Sequence, residues 1–569
     1  MYGFIITKNC EYSGKTLGTP QKLSYNEVHF YNYPLPKFDQ DRLFYEDEEK
    51  IVLLDGVILN KAELLLAYQQ DSWRGTFDVL WDLKIEEKIG ELRGSFCGVI
   101  FEKATESLFC FVNQTGEKPI YYVQSADVTV VASHNNILTD MLKQLHICVE
   151  PDLLSCRELI ATGSILHGKT PFCGVRRLMA GKYLYIKDGQ QEECRYHMFC
   201  NIPEHKETLE ECVVEMDKRF RKAVDRIFAK NAEYGYDSEG DLSGGLDSRM
   251  VAWVAHDLGY RNILNICYSQ SKAIDHTTSR KIAQDLGNEY LFLPLDGGSY
   301  LMDIDDRVNL FGGQSTFISS SGAYRAMEQI KARNIGLCAT GLLGEIHNAY
   351  WTEGLEHTPA KYIVNRYSAI VPFLAEEEYS TEYNNYEQMN LYEYSFPLFM
   401  SSAIMRHQSC EVASPFADVD FLEYAFKIPL KWRKGYLLTK TWMVTKYPEA
   451  AKYVWQTERM PVDKSYYQKI YWPKIVEQVC IFPIRVFNKL TRMMHLPFKV
   501  TLKRDMLAFD YWYQKNPELR AFINCYFSEN IYKIADKSLR EICNKTFVQG
   551  DIRDKLQAIN LLAVYKKYF

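Results

Sequence analysis

Asp241-Leu242-Ser243-Gly244-Gly245-Leu246-Asp247-Ser248-Arg249 reads as a thin loop running into a helix. Ser243, Gly244 and Gly245 carry little or no side chain, so successive backbone N–H groups can face one anion. Ser248 adds a hydroxyl, and Asp247 a carboxylate of the kind that holds Mg²⁺. Met250, Val251, Val254, Ala255 and Leu258 then recur at helical spacing as far as Gly259. The loop is therefore expected at a helix N-terminus, where the macrodipole favours phosphate, although a Ser/Gly turn capping an ordinary helix has the same outline. It is not a Walker loop, because no Gly-Lys-Ser/Thr follows the glycines. Upstream, Tyr234 to Gly240 is too polar for a strand buried in a parallel sheet, and only the pair Asp241-Leu242 is expected to lead into the turn.

Working outward, Leu209, Val213, Val214, Met216, Phe220, Val224 and Phe228 mark one face of a helix at about 208 to 230. After the loop helix come an apolar run from Ile263 to Tyr268, a helix containing Ser279 to Leu286, and a second apolar run from Tyr290 to Leu295. This alternation predicts a parallel sheet with its ligand at the carboxyl ends of the strands. Residues 1 to 195 differ in texture. Phe4–Ile6, Ile51–Leu54, Phe96–Phe101, Leu108–Val112, Val128–Val131 and Tyr183–Ile186 are β-rich runs bounded by Gly, Asn and Asp, with helical patterns at 61–69 and 136–145. The fold expected is two domains: an α+β unit over 1–195, a polar linker over 196–215, and an α/β unit over 216–569 whose end is helical.

Composition sets outer limits. A chain of 569 residues can bury a sizeable core. A net charge of −6 is mild over that length and makes no electrostatic case for nucleic acid. The 15 Cys are scattered without a paired C-x-x-C array, and the start, Met-Tyr-Gly-Phe-Ile-Ile-Thr-Lys, lacks a basic region followed by a long apolar run; reduced thiols in a cytoplasmic protein are expected. No run reaches the roughly 20 apolar residues of a spanning helix. Residues 470–504 carry seven Lys/Arg, counting Lys474, Arg485, Lys489, Arg492, Lys499, Lys503 and Arg504, against Glu477 alone. They are interleaved with apolar side chains but broken by Pro473, Pro483 and Pro497. Such a stretch suits either contact with a membrane surface or ordinary helical packing.

The hexapeptide Ser243 to Ser248 resembles the pyrophosphate loop of N-type ATP pyrophosphatases, and the wider chain resembles asparagine synthetase and its relatives, the β-lactam synthetases and lasso-peptide cyclases among them. The resemblance implies ATP and Mg²⁺ as cofactors, cleavage of ATP to AMP and pyrophosphate, and adenylation of a small-molecule or peptide carboxylate before attack by ammonia or another amine. It implies nucleotide contacts at Ser243, Gly244, Gly245, Asp247, Ser248, Thr340 and Gly341. The stretch Leu337-Cys-Ala-Thr-Gly-Leu-Leu-Gly-Glu345 is similar to the family's Ser/Thr-Gly-x-Gly-x-Asp-Glu signature, so Glu345 would share the metal with Asp247. Asp275 falls where relatives often carry an acid, though a solvated helix cap explains it equally well. Arg459 is the candidate cation for pyrophosphate and the acyl-adenylate, with Lys440 and Lys464 behind it. Two positions depart from the family: Leu342, where amide-forming relatives carry Glu or Tyr, and Ile346, where a second acid is usual.

The front half resembles a class II glutamine amidotransferase with an N-terminal nucleophile hydrolase sandwich, in Met1-Tyr-Gly-Phe4, Asp55-Gly-Val-Ile-Leu-Asn60, Leu92-Arg-Gly-Ser-Phe96 and Asn113-Gln-Thr-Gly-Glu-Lys-Pro-Ile-Tyr-Tyr122. Its chemistry is expected to be lost. The family attacks glutamine with a cysteine at position 2, and here a phenol, with pKa about 10, stands there as Tyr2. The Asn of the oxyanion pair is Asp55, the acid before the Gly-x-Lys-Pro segment is Asn113, and no Asp-Thr-Glu segment occurs between Gln70 and Glu91. The reading is an amide-forming ligase without its own glutaminase; the competing reading is a scaffold or nucleotide-sensing protein with two degenerate sites.

Overall fold

The computed structural model describes residues 2–14, 18–124, 128–204, 206–318, 321–330, 333–349, 382–463, 482–491 and 500–569. The first twelve strands build two antiparallel sheets. They are β1 (Gly3–Lys8), β2 (Gln21–Tyr25), β3 (Val28–Tyr33), β4 (Leu43–Glu46), β5 (Lys50–Ile58), β6 (Gly94–Glu102), β7 (Ser107–Val112), β8 (Tyr121–Gln124), β9 (Thr129–Ala132), β10 (Arg176–Arg177), β11 (Lys182–Lys187) and β12 (Gln190–Arg195). One sheet has the order β10-β8-β9-β1-β3-β2 and the other β12-β11-β7-β6-β5-β4. Alternate side chains of each, Phe4, Ile6, Phe30, Leu53, Val99 and Val131 among them, meet in a dry layer between the sheets. The helices Lys61–Ala67 and Trp73–Asp82 cover the outer face of the second sheet, and Asn135–Gln144 and Leu153–Thr162 that of the first.

The helix after β12 starts where its apolar spacing placed it. Thr208 accepts from the Glu211 N–H while Glu211 answers the Thr208 N–H, a capping box that starts the Leu209–Glu233 helix inside the stretch read as linker. Beyond it lies a five-stranded sheet of β13 (Asp237–Asp241), β14 (Leu264–Ser269), β15 (Glu289–Pro294), β16 (Ile335–Ala339) and β17 (Glu411–Ala413), all parallel, in the order β15-β14-β13-β16-β17. In chain order this is 3-2-1-4-5, so the direction of winding reverses between β13 and β16, and a crevice opens at their carboxyl ends.

The central strand β13 corrects the reading of 234–240 as too polar. Asp-Ser-Glu-Gly-Asp is tolerated there because neighbours answer its polar groups. Arg406 forks onto Asp241 at 2.8 and 2.6 Å, and the Asn265 amide donates to the Gly240 carbonyl at 3.2 Å. Glu239, fully buried, lies within 4.8 Å of Asp241 and Cys338. Burial and the Asp241 charge push its carboxyl up to about 8, so at neutral pH it is mostly the uncharged acid, which a sheet interior accepts.

The two halves share cores. Phe38 and Val57 pack with the parallel-sheet cluster, and the C-terminal helix Ile552–Tyr568 packs in one cluster with Ile5, Tyr31 and Tyr121 of the front half. The pattern Leu556, Ile559, Leu562, Ala563 thus closes the helical end of the chain over the outer face of the first sheet. Among the described residues no helix is long and apolar enough to cross a membrane.

Glu239 makes stability pH-dependent with a definite sign. A carboxyl raised from 4.5 to about 8 by folding favours the native state fully below pH 4.5 and ceases to as pH rises through 8. Urea midpoints measured from pH 5 to pH 8 are expected to fall across that window, and Glu239→Gln, which is neutral throughout, to flatten the fall.

Candidate functional site

The loop after β13 and the loop after β16 meet at the reversal point. The loop residues Ser243 to Leu246 precede the Asp247–Asp257 helix, and the polar groups of the loop are answered within it. The Ser243 N–H donates to Ser248 Oγ at 3.1 Å, and the Gly245 N–H to Ser243 Oγ at 3.1 Å. The Gly244 N–H donates to Asp275 Oδ1 at 3.1 Å. Asp275 is therefore part of the loop's wall and not a solvated cap. Burial, reinforced by Asp505, pushes its carboxyl up to about 6.

The β16 loop presses against this turn so closely that only glycine fits at two positions. A Cβ on Gly341 would lie 2.5 Å from the Ser248 nitrogen, and one on Gly344 2.3 Å from Asp247 Cγ. The closeness brings Glu345, at the start of the short helix Gly344–His347, up to Asp247. Burial and the Glu345 charge together push the Asp247 carboxyl up to about 7, and its Oδ1 is buried without a hydrogen-bond partner. Two carboxylates set against each other, one with an unanswered buried oxygen, form a donor set that fits a hard divalent cation such as Mg²⁺. Thr340 sits at the β16 end, where its Oγ1 accepts from the Leu342 N–H at 3.4 Å, while Ser414 Oγ donates to the Leu342 carbonyl at 2.6 Å.

Arg459 comes to the rim of the same crevice on the turn between β18 (Val454–Trp455) and β19 (Met460–Pro461), at φ 57°. Its guanidinium meets Asp505 at 3.1 Å, and its charge reaches Asp275. Lys440 is held by Glu458 at 2.7 Å, and Lys464 lies outside the described residues. The sequence reading assigned nothing to Arg249, yet this residue ties the turn to the loop. Fully buried, it donates to the carbonyls of Gly244, Ala450, Tyr453 and Val454 at 2.9 to 3.2 Å. Burial with no carboxylate at hand pulls its pKa down to about 9. The signal was present as an arginine on the apolar side of a helix, a placement that demands partners.

The front half has its own cavity, bordered by Tyr2, Cys97, Ser133, His134 and Lys118, with His407 and Glu411 from the back half. It measures about 20 Å³, room for about one water. Asp55 is gripped by Arg42 at 2.8 Å and Lys118 at 2.9 Å. Lys118 also meets Glu411 at 3.0 Å, Arg42 bonds Glu411, and His407 stands 3.0 Å from Glu411. Burial would raise both carboxyls, but Lys118 and Arg42 hold Asp55 well below the usual carboxylate range, and Lys118 and His407 hold Glu411 near 2. Asn113 supports the neighbouring turn, donating to the Gly94 carbonyl at 2.8 Å and accepting from the Gly116 N–H at 3.0 Å.

Residues 38–197 match the glutamine amidotransferase domain family. A Methanocaldococcus jannaschii protein named putative asparagine synthetase (glutamine-hydrolyzing) 2 is 26% identical over 232 residues, 38% of this chain and 44% of that protein. A Mycobacterium bovis protein named putative asparagine synthetase (glutamine-hydrolyzing) is 26% identical over 173 residues, 30% of this chain and 26% of its own. The chain is similar to the asparagine synthetase family. A Penicillium rubens protein named amidase chyE, 29% identical over 175 residues, 30% of this chain and 24% of its own, is similar as well. The chain spans less than half the length of each of these relatives.

Two substitutions probe the geometry. Gly344→Ala drives a methyl group into Asp247 and is expected to lower stability by about 1–3 kcal/mol, read from urea unfolding. Arg249→Lys loses the planar fork that reaches four carbonyls and is expected to lower stability by about 2–3 kcal/mol, read from urea unfolding.

Proposed function

We propose that this chain is an ATP-dependent, AMP-forming ligase that adenylates a carboxylate and joins it to ammonia or another amine without hydrolysing glutamine itself. The observation that carries the reading is the pairing of Asp247, its Oδ1 buried and unpartnered, with Glu345 at the reversal point of the parallel sheet, beside a glycine loop at a helix N-terminus. On this reading the back half is an ATP pyrophosphatase-like unit. Asp247 and Glu345 would hold Mg²⁺, which supplies charge neutralisation on the phosphates when bound.

This chain's own groups do the rest. The loop amides and Ser248 receive the β- and γ-phosphates, with Asp275 giving up the Gly244 N–H as they arrive. A substrate carboxylate oxygen attacks the α-phosphorus, and the bond to pyrophosphate breaks. An amine nitrogen then attacks the acyl carbon, AMP leaves, and the nitrogen loses a proton. Leu342 offers no base for that proton, so it passes to another group or to solvent. Arg459 faces the pyrophosphate from the rim once Asp505 releases it. The narrow front cavity, about 20 Å³, and Tyr2 support the absence of glutaminase chemistry, since the cavity holds neither a thiol nucleophile at position 2 nor space for a glutamine side chain.

Pyrophosphate release tests the ligase reading: with a panel of carboxylates and amines, ATP cleavage is expected, and Asp247→Ala is expected to reduce it by about a hundredfold or more. Cleavage that persists in Asp247→Ala, or is absent with every acid, would count against it. Glutamate release from glutamine is expected to stay at background, and Tyr2→Cys is expected not to restore it while Asp55 remains clamped between Arg42 and Lys118.

A further inference from the structure

The helix at 482–491 presents an apolar stripe to solvent. Phe482, Val486, Phe487 and Leu490 are 64%, 38%, 46% and 51% exposed. They stand at i, i+4, i+5 and i+8, which is one side of a helix. The other side is tied down. Thr491 is buried, Asn488 exchanges hydrogen bonds with the Val500 backbone at 3.2 and 3.0 Å, and Arg485 Nη2 donates to the Thr457 carbonyl at 3.4 Å. These contacts fix the stripe outward. Single exposed apolar side chains are ordinary on a protein surface, but four on one short helical face form a patch that marks an interaction site.

The charge beside the patch has one sign. Lys489 is exposed on the helix, Lys503 follows, and the sequence holds no Asp or Glu from Gln478 to Arg504 in a chain of net charge −6. A helix of ten residues is about 15 Å long, too small to supply the roughly 800 Å² per partner of a stable dimer. A surface of diffuse negative charge over an apolar layer answers both halves of the patch at once. We propose that this helix docks the protein on an anionic membrane surface, with Phe482, Val486, Phe487 and Leu490 at the acyl boundary and Lys489 among the headgroups. Through Thr457, the docked helix stands one hydrogen bond from the turn that carries Arg459. The inference is independent of which acid or amine the protein uses.

The test is co-sedimentation of the full chain with phosphatidylcholine vesicles, plain or containing about one-third phosphatidylserine. Binding is expected to the anionic vesicles alone, and to be lost at about 0.5 M salt. Phe482→Glu with Leu490→Glu is expected to weaken it by about tenfold or more, and Lys489→Glu by about threefold, at unchanged Tm. Leu490→Gln, a milder change at an exposed position, is expected to give an intermediate loss and stands in if the double variant misfolds. Failure of the unmodified chain to pellet with anionic vesicles overturns the proposal, as does undiminished binding by the Phe482 and Leu490 variants. A dimer in sedimentation equilibrium that these variants dissolve also overturns it, by identifying a second copy as the occupant.

Discussion

One buried guanidinium makes the central strand possible. β13 carries Glu239 and Asp241 into the middle of the parallel sheet, and Arg406 is the cation that meets them. Two carboxyls so placed cannot both stay charged against a single arginine: Asp241 takes the fork, and Glu239 keeps its proton. The loop that opens two residues later starts from that anchored strand end. Removing Arg406 would leave a bare carboxylate under the loop, which is why the helix Phe396–Arg406 belongs to the site although it points at no ligand.

The same segment reaches the other half of the molecule. His407 and Glu411 follow Arg406 directly, and they close the front cavity against Arg42, Asp55 and Lys118. Five ionisable groups from both halves meet there. A buried cluster of that kind adds little net stability compared with apolar packing, but each member becomes costly to remove once the others are in place. Through Glu411 the cluster touches β17, which pairs with β16.

At the reversal point, two close approaches do the positioning. Gly341 and Gly344 let the β16 loop lie on the start of the Asp247–Asp257 helix, and that is what sets Glu345 against Asp247. Arg249 then ties the loop to the β18–β19 hairpin, whose turn bears Gln456 and Arg459. The loop amides are satisfied by Ser243, Ser248 and Asp275, which holds the turn in shape.

Much of this was legible in the residues alone. The alternating runs of the front half, the glycine loop before an amphipathic helix and the strand–helix–strand order after it follow from local periodicity, which needs no knowledge of distant neighbours. That Glu345 lies near enough for its charge to act on Asp247 is seen in the fold, while their sharing of a metal is an expectation carried by resemblance. Local pattern failed at β13, where polarity argued against a strand that only Arg406, 165 positions away, makes tolerable. It was silent on Arg249 and on the grip of Arg42 and Lys118 on Asp55, because a buried charge acquires its meaning from partners that the chain order does not place beside it. Sequence determined which elements form and which chemistry the loop can offer; the tertiary structure decided which charges are answered, which cavity is closed and which apolar stripe is left facing out.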